Sequence, residues 1–193
     1  MNDEHPNFWS ARVVEYRDEE AIAQAIASAS KVKVDLSLIK ELRTYFPHLK
    51  EGEKEVKSIR GPADLGRGLD AAEYMLYTKD RANYIILTYE NYKGRLERLQ
   101  SIVRSSLFSK REIQGLKNEA QRGSIVELTA PEIEDKLSKV KRVLGAAKLV
   151  VTNTNQSYNI LKTQVEIIKE MMYEAGLTKA MRGKGSDKLA ERL

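Results

Sequence analysis

Few residues in this chain could do covalent chemistry. His5 and His48 are its two histidines, and it has no cysteine. Neither histidine stands in an acid–nucleophile arrangement, and no histidines pair at helical spacing, so a His- or Cys-based metal site is not expected. The lack of cysteine also excludes disulfides and thiolate chemistry, which fits a reducing compartment. Gly183-Lys184-Gly185-Ser186 imitates a fragment of a phosphate-binding loop. No strand precedes it and the full Gly-x-x-x-x-Gly-Lys-Ser/Thr spacing is missing. Glu132, Glu134 and Asp135 gather where a helix N-terminus favours negative charge, and that structural role outweighs acid–base catalysis. A non-enzymatic chain without metal or cofactor is the expectation.

The chemistry that remains is charge. The net charge is +5. From Lys93 to Arg122 the cations Lys93, Arg95, Arg98, Arg104, Lys110, Arg111, Lys117 and Arg122 outnumber the acids Glu97, Glu112 and Glu119 by the same amount. A concentrated positive segment attracts a polyanion, whereas scattered charge mostly confers solubility. Arg104, Lys110 and Arg111 flank Leu107 and Phe108. Phosphates would take the cations, and an exposed Phe108 could stack on a base. The DNA-contact candidates are therefore Arg95, Arg98, Arg104, Lys110, Arg111, Lys117 and Phe108. Lys179, Arg182, Lys184 and Lys188 could add non-specific grip. Tyr77 and Tyr84, seven residues apart, could pack against a neighbouring chain.

Two long hydrophobic ladders must position these groups. One runs from Ala71 through Met75, Thr78, Ala82, Ile85, Tyr89, Tyr92, Leu96 and Leu99 to Val103. The other runs from Ile133 through Leu137, Val140, Leu144, Ala147, Val151, Thr154, Tyr158, Leu161, Val165 and Ile168 to Met172. Both alternate steps of three and four, the heptad period. At about 1.5 Å per residue the second would extend roughly 60 Å. Such seams need each other or other copies of the chain. Met75, Tyr89, Leu96, Leu144, Val151, Tyr158, Leu161, Val165 and Ile168 are the candidate oligomerisation residues. The expected fold is all-α: an elongated helical bundle or coiled coil built on two long heptad-patterned helices, with a short helical N-terminal arm.

Punctuation refines this plan. Residues 1–62 form the arm. They open with His5, Pro6, Phe8 and Trp9 in a docking or loose terminus. A short helix over 18–30 follows, and then a second one capped by Asp35, with Pro47 beyond its end. The charged stretch 50–60 is a linker or a solvated helix. Gly61-Pro62 breaks the chain, and residues 63–178 form the oligomerisation and DNA-binding core. Asp64 is a suitable N-cap for the first long helix, which Gly66 and Gly68 weaken at its start. The helix runs to about Phe108. Ser109-Lys110-Arg111-Glu112 has capping-box spacing and opens a shorter helix ending near Gly123. A connector over 124–128 follows. Thr129-Ala130-Pro131-Glu132 starts the second long helix, with proline tolerated in the first turn. Gly176 is expected to stop it, and 179–193 is expected to be a basic flexible tail. The polar run Thr152–Gln156 is either a tolerated layer in the seam or a register-setting or partner-contact site.

The run Leu69-Asp70-Ala71-Ala72-Glu73-Tyr74-Met75-Leu76-Tyr77-Thr78-Lys79 resembles the long first helix of the phage recombination mediator UvsY family. Thr154-Asn155-Gln156-Ser157-Tyr158-Asn159-Ile160-Leu161 is similar to the start of that family's last helix, which also ends near a glycine. The order of long helix, basic turn, connector and long helix is shared over roughly residues 65–181. The resemblance implies a helical homo-oligomer that binds single-stranded DNA. It would help load a strand-exchange recombinase onto DNA covered by single-strand-binding protein. The nearest matches to the family's DNA-contacting cations are Arg104, Lys110 and Arg111. The segment before Gly61 has no counterpart and would be an added partner-binding arm. No apolar run approaches the roughly 20 residues that span a bilayer, and the first residues lack the pattern of a signal peptide. A cytoplasmic protein of an infected or host bacterial cell, with no membrane partner, is expected. The alternative is a coiled-coil virion component or assembly chaperone that does not bind nucleic acid specifically.

Overall fold

The computed structural model describes residues 6–116 and 118–190, and among them every regular element is helical. The helices are α1 (Pro6–Arg17), α2 (Glu20–Ser30), α3 (Ser37–Ser58), α4 (Leu65–Phe108), α5 (Arg111–Gln114), α6 (Glu119–Thr129) and α7 (Pro131–Ala190). A single 3-10 turn, Pro62–Asp64, precedes α4. The all-α expectation holds, and the two ladders coincide with α4, of 44 residues, and α7, of 60 residues. No described helix is long and apolar enough to cross a membrane.

Several boundaries differ from the sequence reading. The first described residues form α1, not a loose terminus. α3 passes straight through Pro47. Proline removes one helical hydrogen bond, but Leu42, Leu49 and Val56, each seven residues from the next, bury a continuous seam on both sides of it. Fully burying a leucine such as Leu42 stabilises by roughly 2–3 kcal/mol, comparable to what the proline disrupts. The stretch 50–58 is therefore helix, and the linker reading is replaced.

Asp35 performs as expected: its carboxylate accepts the Ser37 N–H at 2.8 Å. Asp64 does not cap α4. It accepts the backbone N–H of Arg60 at 3.0 Å and pairs with Arg67. Ser109 likewise does not cap, because its hydroxyl donates back to the Ser106 carbonyl. The helix expected to end near Gly123 is split in two. α5 stops at Gly115, and Asn118 opens α6 by accepting the Ala120 N–H at 2.8 Å. Residues 124–128 belong to α6 rather than to a connector. Pro131 occupies the first position of α7, as its missing N–H allows. α7 does not stop at Gly176 but continues to Ala190; a glycine with no positive φ leaves a helix unbroken.

The chain divides into two compact units. The first takes residues up to Lys40 together with Tyr84–Ala147. In it α1 packs on α2 and α6. Ile22, Leu96, Val103, Leu107, Ile113, Ile133, Leu137 and Val140 lie in its fully buried centre. Its corner is tied by polar contacts: the Tyr89 hydroxyl accepts the Asp35 N–H at 2.9 Å, and the Lys136 ammonium donates to the carbonyls of Ser30 and Val32.

The second unit takes Glu41–Asn83 and the chain from Lys148 onward. Leu42, Leu49, Val56, Ile59, Met75 and Leu161 form its core. Gly68 has a packing role here. A Cβ on it would lie 2.6 Å from Ile59 Cδ1 and 3.4 Å from Leu161 Cδ1. Absence of a side chain lets three segments close together. The polar run in α7 leaves the helix unbroken. Thr154 is buried and donates to the Val150 carbonyl at 2.8 Å, so its hydroxyl is satisfied within its own helix.

Candidate nucleic-acid interface

The basic segment lies wholly in the first unit, on the last turns of α4 and on α5 and α6. Burial of Leu96, Val103, Leu107 and Ile113 fixes which faces of these helices turn inward. Arg95, Arg98, Arg104 and Arg111 fall on the outward faces and are exposed.

The cations then separate by partner. Arg104 pairs with Glu119 at 3.3 Å, and its guanidinium carbon lies 5.0 Å from the Phe108 ring centroid. Arg122 reaches the same ring at 5.7 Å. Its Nε is buried and has no hydrogen-bond partner among the described residues. Lys110 is held by Glu19 at 2.6 Å. Arg95, Arg98 and Arg111 make no ion pair among the described residues. Lys117 lies outside the described residues.

Two expectations change. Phe108 is half-buried and two guanidinium groups cover it, so it is not an open platform for a base. Cation–π attraction makes the ring a support that holds Arg104 and Arg122 in place. Lys110, placed among the leading cations, is already neutralised by an acid from the α1–α2 junction. A sequence count restricted to residues 93–122 does not include Glu19.

Acids also border the cations. A cavity of about 330 Å³ between α4 and α6 is lined by Glu97, Gln100, Ser101, Arg104, Gly123, Val126 and Glu127. Two carboxylates against one guanidinium make it a poor seat for a phosphate. Any phosphate contact falls to the outer arginines rather than to this hollow. Glu112, the remaining acid of the segment, accepts the Tyr16 hydroxyl at 2.9 Å. Its own backbone N–H, and then Tyr16, hold its carboxyl below the usual carboxylate value. It is thereby committed to the α1–α5 contact.

The sequence reading did not single out Arg122 beyond its charge, nor the exposed Lys141 and Arg142 of α7 in the same unit. The run Lys139-Val140-Lys141-Arg142 carried the signal for the last two. Lys139 itself is paired with Asp135.

The candidate oligomerisation residues are mostly covered within one chain. Met75, Tyr89, Leu96, Leu144, Leu161 and Ile168 are buried without any second copy, Val151 and Val165 are half-buried, and Tyr158 is exposed. Other helices of the same chain satisfy most of the seam, so the ladders do not by themselves require association. No group of histidines and carboxylates among the described residues could hold a metal ion.

No family model, curated protein or solved structure matches this chain.

Proposed function

We propose that this chain is a non-enzymatic DNA recombination and repair protein that binds single-stranded DNA as a homo-oligomer. In this reading it is a mediator that helps a strand-exchange recombinase load in competition with single-strand-binding protein. The observation that carries the DNA part is the group of exposed arginines Arg95, Arg98 and Arg111, which have no ion-pair partner among the described residues. They lie in the same unit as the Arg104–Phe108–Arg122 cluster. Unpaired guanidinium groups on a helical surface suit phosphates, which they can meet with two parallel hydrogen bonds. Repetition of that surface in an oligomer would raise avidity without any single strong site. The mediator part rests on the resemblance of Leu69–Lys79 and Thr154–Leu161 to the UvsY family.

The test is an anisotropy titration of labelled single strands over a range of salt. Changing Arg95, Arg98 and Arg111 together to alanine should weaken binding at low salt. It should also flatten the salt dependence by about two in the logarithmic slope, since each lost phosphate contact on a single strand removes about 0.7. Equal binding by the native and triply changed proteins would remove this surface from the DNA reading.

A second reading, a structural or assembly protein of a virion or a chaperone, is favoured by a different feature. Ile167, Met171, Met172 and Tyr173 leave an apolar stretch of α7 exposed. It predicts stable association with no DNA binding in the same titration.

A further inference from the structure

The outer side of α4 carries large apolar side chains that its own chain leaves bare. Tyr77 is 63%, Tyr84 64% and Leu87 66% exposed, although Met75, Ala82, Ile85 and Tyr89 of the same helix are buried. The two tyrosines continue in both directions into exposed charge. Asp70 and Glu73 precede them, and Arg95 and Arg98 follow.

The spacing is symmetric about Tyr84. Tyr77 and Asn91 lie seven residues before and after it, Glu73 and Arg95 eleven, and Asp70 and Arg98 fourteen. At about 3.6 residues per turn these offsets are two, three and four turns to within about 40°. All seven residues therefore share one face of one helix, and all seven are exposed. The helix repeat alone sets their register. Positions match across Tyr84, but charges oppose: both acids stand on the N-terminal side and both arginines on the C-terminal side. None of the four makes an ion pair among the described residues.

That pattern selects a partner. A second copy running the opposite way across Tyr84 sets Arg98 beside Asp70 and Arg95 beside Glu73, each pair twice. It brings Tyr84 against Tyr84 on the axis and Tyr77 against Asn91. Asp80, a further exposed acid of the face, falls opposite the neutral Thr88. A parallel copy in register would set acid against acid and arginine against arginine. Exposed ion pairs add little cohesion, so the charges fix orientation while the tyrosines supply the buried area.

We propose that this stripe of α4 is a self-association surface that pairs antiparallel with the same stripe of a second copy about a two-fold at Tyr84. A two-fold contact is self-complementary by construction, as the opposed charges require. The contact occupies Arg95 and Arg98, so the pair is a DNA-free state of the protein. The pairing itself does not rest on the DNA reading: Asp70 and Glu73 belong only to the pair, and Arg111, on α5, belongs only to the DNA surface.

The experiment uses the full chain without DNA. Mass by sedimentation equilibrium should rise with concentration from one chain to two, because a single helix face is small for an interface. Asp70→Lys with Glu73→Lys should hold the protein as a single chain, and adding Arg95→Glu with Arg98→Glu should restore the pair. Because the chain has no cysteine, single spin labels report direction. Labels on Asn83→Cys, beside the axis, should lie close together. Labels on Ser101→Cys, seventeen residues from the axis, should lie about 50 Å apart. One chain's mass at every concentration would overturn the proposal. So would an unchanged mass after acid reversal, a fourfold variant that stays single, short distances at both labels, or association only with DNA or anionic vesicles. Arg111→Ala should leave the mass unchanged and weaken DNA binding. A chain that pairs as described but binds no single strand at low salt would overturn the DNA reading alone.

Discussion

Arg17 holds Glu132 across the corner where α6 turns into α7. Its Nη2 pairs with the Glu132 carboxylate, and its Nη1 donates to the Thr129 carbonyl at 2.9 Å. The contact joins residues 115 apart in sequence. It bonds the carbonyl of the last residue of α6 and places a cation beside the first turn of α7. It also uses one of the carboxylates at the α7 N-terminus, which is the structural role expected of that acidic cluster.

Replacing Arg17 with alanine should lower stability by about 1 kcal/mol. Charge-assisted hydrogen bonds contribute more when buried, but this pair is about one-third exposed and solvent screens it. The Arg17 hydrogen bond holds the Glu132 carboxyl below its ordinary value of 4.5. A depressed carboxyl adds stability above that ordinary value and loses it as pH falls through the folded-state value. Thermal melts of the native and Arg17→Ala proteins should therefore differ at neutral pH and converge in acid. A constant difference down to strongly acidic pH would show that Arg17 acts through the Thr129 carbonyl and packing rather than through the Glu132 charge.

Alkaline titration should reveal late tyrosines, Tyr16 and Tyr45 among them. Burial, reinforced by the bond to Glu112, pushes the Tyr16 hydroxyl up to about 12. Burial and Glu41 do the same for Tyr45, also to about 12. A raised folded-state value means that the neutral hydroxyl stabilises. That contribution is complete below the ordinary value of 10.0 and disappears as pH rises through about 12. Tyrosinate absorbance should show a late component that Tyr16→Phe reduces and unfolding abolishes. Ionisation of all tyrosines near their ordinary value would contradict the burial of the Tyr16 and Tyr45 hydroxyls.

Thr78 should tolerate valine better than most core threonines. Its hydroxyl is fully buried and has no hydrogen-bond partner among the described residues. A buried unsatisfied hydroxyl costs about 1–3 kcal/mol, and valine keeps the shape while removing it. The Thr78→Val protein should melt higher than the native chain. A lower melting temperature would mean that the hydroxyl is satisfied in solution.

Two glycines should respond in opposite senses to alanine. Gly145 is exposed within α7 and nothing lies within 4 Å of a Cβ built on it, so Gly145→Ala should stabilise by up to about 1 kcal/mol. At Gly68 the added Cβ meets Ile59 Cδ1 at 2.6 Å. Ile59 is buried and has little room to retreat, so Gly68→Ala should destabilise despite its better helix propensity. Denaturant midpoints of the two variants moving in the same direction would refute the close approach.

Local pattern carried far. The steps of three and four along Ala71–Val103 and Ile133–Met172 are a property of neighbouring residues, and the helix repeat converts them directly into one face. Asp35 and Pro131 act on groups within two residues of themselves, so their roles were legible. Pro47 and Gly176 misled because each is a local breaker set inside a longer packed or uninterrupted helix. Ser109 misled because its hydroxyl had a competing carbonyl within reach, that of Ser106.

Residue order alone specifies the helical class, the two seams and the concentration of positive charge between Lys93 and Arg122. Tertiary structure decided which of those charges remain available. Glu19 comes from the other end of the chain to bind Lys110, two arginines converge on Phe108, and the chain's own helices bury Met75, Leu96 and Leu161. The physical reason is range. Periodicity is set by backbone geometry over a few residues, whereas pairing and burial depend on partners brought close only when distant segments pack.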